Sequence, residues 1–551
     1  MANKTVWTTY TVCSVFVVLY GLFACAFMFI RQRRNRRKDD AEFFLTARHS
    51  VGWFRIGWSF FAAAMGSWTL FGPPSYGYYT GWLGLMMYAI SSGFPVLVIA
   101  FLGGFVHKLV PNVLSFSDFV QRRFGFTVQI YVSLLMLFNM GVALTAEYTA
   151  VGDLFETVIG TVRWPIVVII GIVSAIYTAY GGLYVSIITD QIQAAAAIGM
   201  VIVLVIFVAV TFKAPLPRPL PDYLGVTFQG YSSIAVMPIS LMCATVFSEA
   251  MWQRCWATST KKNLHIGGAL GWFAITSCVF LFGFGGILAA WSGLFVPSGP
   301  DDYGNTILFS LLDNVNGGRH LGIIVVVSIL SVTMSTSAID SLQNAIVDNI
   351  SGVWLKKAPL LWVRMLVLVL NVPPLVVSLR SYNIIQLFLV ANLVTTTSAL
   401  PVLAGLIRHP LAYKIVTPFT MLFGCAQGII AMFWWSVIDQ RSGESYSMTL
   451  KRVFTIEYAY PPFLIALGMS MVGLLAGAAL EWVARAALRR PHTGVDPLAY
   501  EGAVLPDGRG PYLETTVAAS AAKRTGSIDS GSSDDGLKMS TQPTGPYAPV
   551  L

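Results

Sequence analysis

Charge is what this sequence has least of. Of its 551 residues only 11% are Asp, Glu, Lys or Arg, where a soluble domain carries roughly 25%. So thin a supply of polar surface excludes a soluble globular protein of this length. Cysteine is also scarce. Cys13, Cys25, Cys243, Cys255, Cys278 and Cys425 all fall within or beside apolar runs, with no CxxC and no Cys/His spacing. Neither a disulfide framework nor a zinc centre is supported, and the six read as small apolar packing residues. No GxxxxGK[ST] loop occurs, so nothing points to an ATP-driven pump. A nucleophile–base pair and a metal cluster are missing too, which leaves a membrane enzyme without a site. The short alternating segments of a membrane β-barrel are absent.

What is there is apolar. Hydrophobic residues make up 56% of the chain and recur in runs of about 20, the length a bilayer core demands. The runs fall at about 7–30, 52–78, 82–106, 128–151, 164–180, 184–211, 231–254, 264–292, 319–345, 360–380, 382–406, 413–437 and 460–486. This predicts an all-α membrane protein of about thirteen transmembrane helices. The first run differs from a secretory signal because its basic block RQRRNRRK (31–38) follows the apolar stretch.

The net charge of +9 lies in the connections rather than on one face, which argues against nucleic acid as a partner. With the amino terminus outside, the inside connections carry 22 basic residues and the outside ones 9. That asymmetry predicts an odd helix count and a cytoplasmic carboxyl terminus. From about His492 the composition turns to Ser, Gly, Pro, Asp and Thr, as in a disordered tail over 491–551.

Polar and helix-breaking residues inside apolar runs are costly and mark function. The second run holds AAAMGS (62–67), small and weakly helical, where a helix can unwind and turn carbonyls toward a cation. Close packing of small residues is the alternative. The ninth run crowds Ser331, Thr333, Ser335, Thr336, Ser337, Asp340, Ser341, Gln343 and Asn344 into about four turns. Such hydroxyls can bond back to their own helix. Ser335 and Thr336, with the Val332 carbonyl one turn below, can also hold a dehydrated cation, which wants several oxygens. Glu147 (TAEYTA) and Glu249 (after ATVFS) are mid-span acids without a basic partner in their own runs. A second interruption near Glu249, five runs after the first, fits two inverted repeats with a site between them.

These segments resemble the sodium/solute symporter family, which contains the sodium–glucose, proline, iodide and choline carriers. The resemblance spans about 43–406 and rests on FFLTARHSVGW, SFSDFVQRRFG (115–125), YTAYGGLYVSIITDQIQ (177–193), WQR (252–254) and MSTSAIDSLQNA. It implies a leucine-transporter-like core of ten helices in a 5+5 inverted repeat. The corresponding division is 1–51 for the first helix and basic loop, 52–211 and 212–410 for the repeats, and 411–490 for peripheral helices. It implies a sodium site from the carbonyls of Ala62, Met65 and Val332 and the hydroxyls of Ser335 and Thr336, with Asp190 on the inner sodium route. It also implies that Trp68, Thr69, Tyr88, Ser91, Ser248 and Glu249 face the substrate. Where sugar carriers have an Asn-Gln pair and an acid, this chain has Ser248, Glu249 and Trp68. GSWTLFGPP resembles fungal and plant urea carriers instead.

The expectation is an ion-coupled symporter in the plasma membrane, Na⁺ first, importing a small polar solute by alternating access without an organic cofactor. The alternatives are proton coupling through Glu249, Asp340 or Asp190, as in a urea symporter, and a carrier-like nutrient sensor. Oligomeric state is not readable from the sequence.

Overall fold

A computed structural model gives the architecture. It describes residues 2–34, 51–109, 115–297, 304–312, 321–354, 359–407, 409–441, 443–455 and 459–488. The latter half of the basic block, most of FFLTARHSVGW and the tail over 491–551 lie outside them.

Among the described residues, nine helices are long and apolar enough to cross a bilayer. A tenth is the pair Phe228–Val246 and Glu249–Ala257, bent by 64°. Local backbone accounts for two more. Trp164–Thr211 has 48 residues and turns at Gly182, φ 62° and ψ −165°. Unbroken it would measure roughly 72 Å, far beyond the ~30 Å of hydrocarbon. Gly81, φ 73°, divides Gly72–Leu109 in the same way, and the piece before it continues Trp53–Ala64 as one interrupted span. No side chain fits at Gly81, because a Cβ would lie 2.4 Å from the Gly225 carbonyl oxygen. The shorter apolar helix Leu360–Val377 completes thirteen spans.

In chain order, α1 is Ala2–Arg34. Next, α2 comprises Trp53–Ala64, the tight turn Ser67–Leu70 and 72–80, and α3 is 82–109. Phe126–Asp153 is α4, while α5 and α6 are 164–181 and 183–211. The bent pair is α7 and Lys261–Trp291 is α8. Leu321–Trp354, Leu360–Val377 and Ile384–Leu403 are α9, α10 and α11. Pro418–Ile438 and Tyr460–Ala487 are α12 and α13.

The radial pattern is that of a protein dissolved in lipid. Large apolar side chains such as Val210, Phe273 and Trp434 point outward, whereas Ser59, Glu147, Asp190, Ser335 and Asp340 are buried. A helix in hydrocarbon satisfies its own backbone, so its outer face can be wholly apolar and its polar side chains turn inward. Small residues let the backbones close up. At Gly286 of α8 a Cβ would fall 2.4 Å from the Pro74 carbonyl oxygen, so α8 presses directly on α2.

Candidate ion and solute site

The site is built where α2 and α7 lose their helical hydrogen bonds. In α2 the helix stops at Ala64. Met65 (φ −98°, ψ 90°) and Gly66 (φ −106°, ψ −175°) are extended before the turn at Ser67. A helix end leaves its last carbonyls without amide partners. Phe61 still receives the Met65 amide at 3.0 Å, and Ala64 receives the Trp68 indole N–H at 3.2 Å. The carbonyls of Ala62 and Ala63 are released, because Gly66 is extended and the Ser67 amide turns instead to Glu147 Oε2 at 3.0 Å.

Glu147 comes from α4, which runs past both breaks without interruption. Its carboxylate lies so close to Gly66 that a Cβ there would be 1.7 Å from Oε1. Eight residues earlier, Asn139 faces the other break. Its amide donates to the carbonyls of Ala244 at 2.9 Å and Phe247 at 3.2 Å. The Trp252 indole covers the Val246 carbonyl at 2.9 Å. Thus α4 offers an acid to an exposed amide in α2 and an amide to exposed carbonyls in α7.

Helix α9 lies along the α2 break. Ser67 Oγ donates to the Ser331 carbonyl at 2.9 Å. Six positions on, Ser337 Oγ donates to Asp190 Oδ1 at 2.8 Å, and Asp190 Oδ2 also accepts from Ser59 Oγ. Ala62 and Met65 lie between the first pair of α2 anchors, Ser59 and Ser67. Val332, Ser335 and Thr336 lie between the α9 anchors. Ser335 Oγ donates to Glu147 Oε2 at 3.1 Å, and Thr336 Oγ1 donates to the Val332 carbonyl at 2.6 Å. Both hydroxyl protons are committed, so lone pairs remain for a cation.

Farther along these helices, Asp190 pairs with Arg254 of α7, Oδ2 to Nη2 at 3.1 Å, with both side chains fully buried. The guanidinium also donates to the Ser59 carbonyl, the Ala250 carbonyl and Ser341 Oγ. One buried pair therefore joins both broken helices. Asp340 is held by Tyr177 at 2.8 Å and Ser186 at 2.7 Å.

Beside the break is a cavity of about 180 Å³. Trp68, Tyr76, Tyr88 and Phe388 supply aromatic wall; Met65, Ser92, Asn139, Glu147 and Ser248 are also on it. Glu147 is the one acidic or basic residue among those lining it. Of the residues the sequence placed against substrate, Trp68, Tyr88 and Ser248 line this cavity. Thr69 does not, since its hydroxyl is turned back to the Gly66 carbonyl at 2.7 Å. Ser91 is buried next to the lining residue Ser92.

Glu249 is placed elsewhere. Both its oxygens accept the Phe116 amide at 3.2 Å, and Trp256 Nε1 donates to Oε1 at 3.5 Å. It stands at the start of the short helix Phe116–Phe124 instead of in the cavity, because a carboxylate is favoured where a helix exposes its first amides. Glu147 was visible as a mid-span acid but not assigned to the site. Asn139, a lone amide in LFNMG, was missed, although its polarity in an apolar run is the same kind of signal.

The chain matches the sodium:solute symporter family model over residues 43–403. The protein belongs to the sodium:solute symporter family. It is similar to the spermidine transporter DUR31 of Candida albicans, 26% identical over 396 residues, covering 71% of this chain and 74% of that protein. The sodium/sialic acid symporter NanT of Aliivibrio fischeri is 29% identical over 202 residues, 36% of this chain and 38% of the symporter. Among solved structures, a substrate-bound, outward-open Na⁺-coupled sialic acid symporter superposes with a TM-score of 0.62 at 18% identity. It covers 86% of this chain and 97% of the other. This symporter therefore has the leucine-transporter-like fold. As a member of this family it is an integral membrane secondary symporter of small solutes and not an enzyme.

Proposed function

We propose that this protein imports a small amine-bearing solute with Na⁺, the ion held by the carbonyls of Ala62, Met65 and Val332 and the hydroxyls of Ser335 and Thr336. The observation that carries the substrate class is that Glu147 is the only acidic or basic residue on the cavity wall, which is otherwise apolar, aromatic and uncharged polar. A protonated amine offers the matching charge, and Trp68 and the tyrosines add cation–π attraction. The spermidine transporter among the relatives supports the same class. On this reading Asp190 belongs to the inner ion route, and the repeats occupy 52–211 and 212–410, followed by peripheral helices over 411–490. We place the symporter in the plasma membrane with its amino terminus outside and its carboxyl terminus in the cytoplasm.

The driving force follows from charge. Each cation moved inward gains about 2.3 kcal/mol per 100 mV, so a cationic solute adds to the work done by Na⁺. In proteoliposomes, an inward Na⁺ gradient should drive uptake of labelled spermidine but not urea. Ser335→Ala should raise the half-saturating Na⁺ concentration about tenfold, the effect of about 1.4 kcal/mol. Uptake unchanged when K⁺ replaces Na⁺, or driven by a proton gradient alone, would sink the sodium assignment.

A further inference from the structure

We propose that Ser335 and Glu147 form the relay through which the bound ion prepares the solute's binding group. The relay rests on the ion site and the amine-bearing solute proposed above. Ser335 Oγ would meet the ion with a lone pair while its proton stays on Glu147 Oε2, and the same carboxylate would take the ammonium group from the cavity.

Three features of the molecule converge on this arrangement. Ser335 Oγ and the Ser67 amide both donate to Glu147 Oε2, at 3.1 and 3.0 Å. A hydroxyl has one proton and two lone pairs, so the oxygen stays open to a cation while its proton is engaged. Glu147 meanwhile lines the cavity, which places one carboxylate between the break of α2 and the solute space. Gly66 makes that position available: with any Cβ, an atom would stand 1.7 Å from Oε1 and 2.2 Å from the carboxyl carbon. The glycine therefore serves as the carboxylate's seat as well as a helix breaker.

A cation on Ser335 Oγ polarises its O–H and strengthens the charge-assisted bond to Glu147. The carboxylate is then fixed before the solute arrives, and the ordering cost of binding falls. The ion does not touch the carboxylate in this scheme, so the charge that attracts the amine is not cancelled. Linkage makes the effect reciprocal: the amine must tighten Na⁺ by the same factor.

The test uses the full chain in nanodiscs and reads the affinity for spermidine by thermal shift, in NaCl and in KCl. In the unmodified protein Na⁺ should tighten spermidine by about tenfold or more. Gly66→Ala keeps both relay side chains but pushes the carboxylate from its seat, and the Na⁺ effect should vanish. Adding Glu147→Asp, one methylene shorter, should restore part of it, which a generally damaged α2 would not permit. If Gly66→Ala does not fold, Ser335→Ala takes its place and should bind spermidine equally in both salts. A full Na⁺ effect in either Gly66→Ala or Ser335→Ala overturns the relay, and so does Na⁺-insensitive spermidine binding in the unmodified protein. Spermidine binding in neither salt defeats the amine reading itself and the relay with it.

Discussion

At the break of α2 the carbonyls of Ala62 and Ala63 are released and the exposed amide of Ser67 is taken by an acid. At the break of α7 the carbonyls of Ala244, Val246 and Phe247 all have donors from Asn139 or Trp252. The same interruption has been finished in opposite ways. An acceptor-rich gap suits a cation while its acceptors stay open, which is why the ion is proposed at α2 rather than at α7. What α7 contributes is a cavity wall, through Ser248 and its neighbours.

The comparison can be broken first at the charge that joins the two helices. Arg254→Met leaves Asp190 buried without its partner and should destabilise the protein by roughly 3–5 kcal/mol, read as thermal unfolding of the purified symporter. Asp190→Asn in the same chain should recover part of that loss; no recovery would mean that the guanidinium acts through the Ser59 and Ala250 carbonyls instead. A smaller effect is expected from Asn139→Leu, which strips donors from the α7 break and should cost about 1–3 kcal/mol. That loss should be the same in Na⁺ and K⁺, because no ion belongs there; a loss confined to one salt would erase the distinction between the breaks. The smallest change is expected from Glu249→Gln. It weakens a carboxylate at a helix start, worth about 0.3–1 kcal/mol, and should leave solute selectivity unchanged. A shift in the amine preference of this variant would return Glu249 to the cavity.

Much of the fold was legible because its signals are local. Runs of apolar residues give the spans, and AAAMGS gives the interruption of α2. Even the boundaries hidden inside long helices, at Gly81 and Gly182, appear as glycines between two runs. The hydroxyl pair proposed for the ion is also a local feature, since Ser335 and Thr336 are neighbours on one helix. The solute side was not. Whether Glu147 or Glu249 reaches the cavity depends on where a helix start needs an anion. The amides of Phe116 and Ser67 lie 133 and 80 positions from the acids they engage. Nothing in either acid's own run distinguishes the two, and only packing sorts them.

Because Asn139 and Glu147 belong to one unbroken helix, the contacts they make are separated by a fixed rise of about 12 Å along α4. That helix is a yardstick gripped at two points. If the carrier rocks between its two faces, α2 cannot slip relative to α7 without pulling Ser67 off Glu147 or Ala244 off Asn139. Whichever grip lets go first dictates the hinge, and the weaker, neutral one is at Asn139.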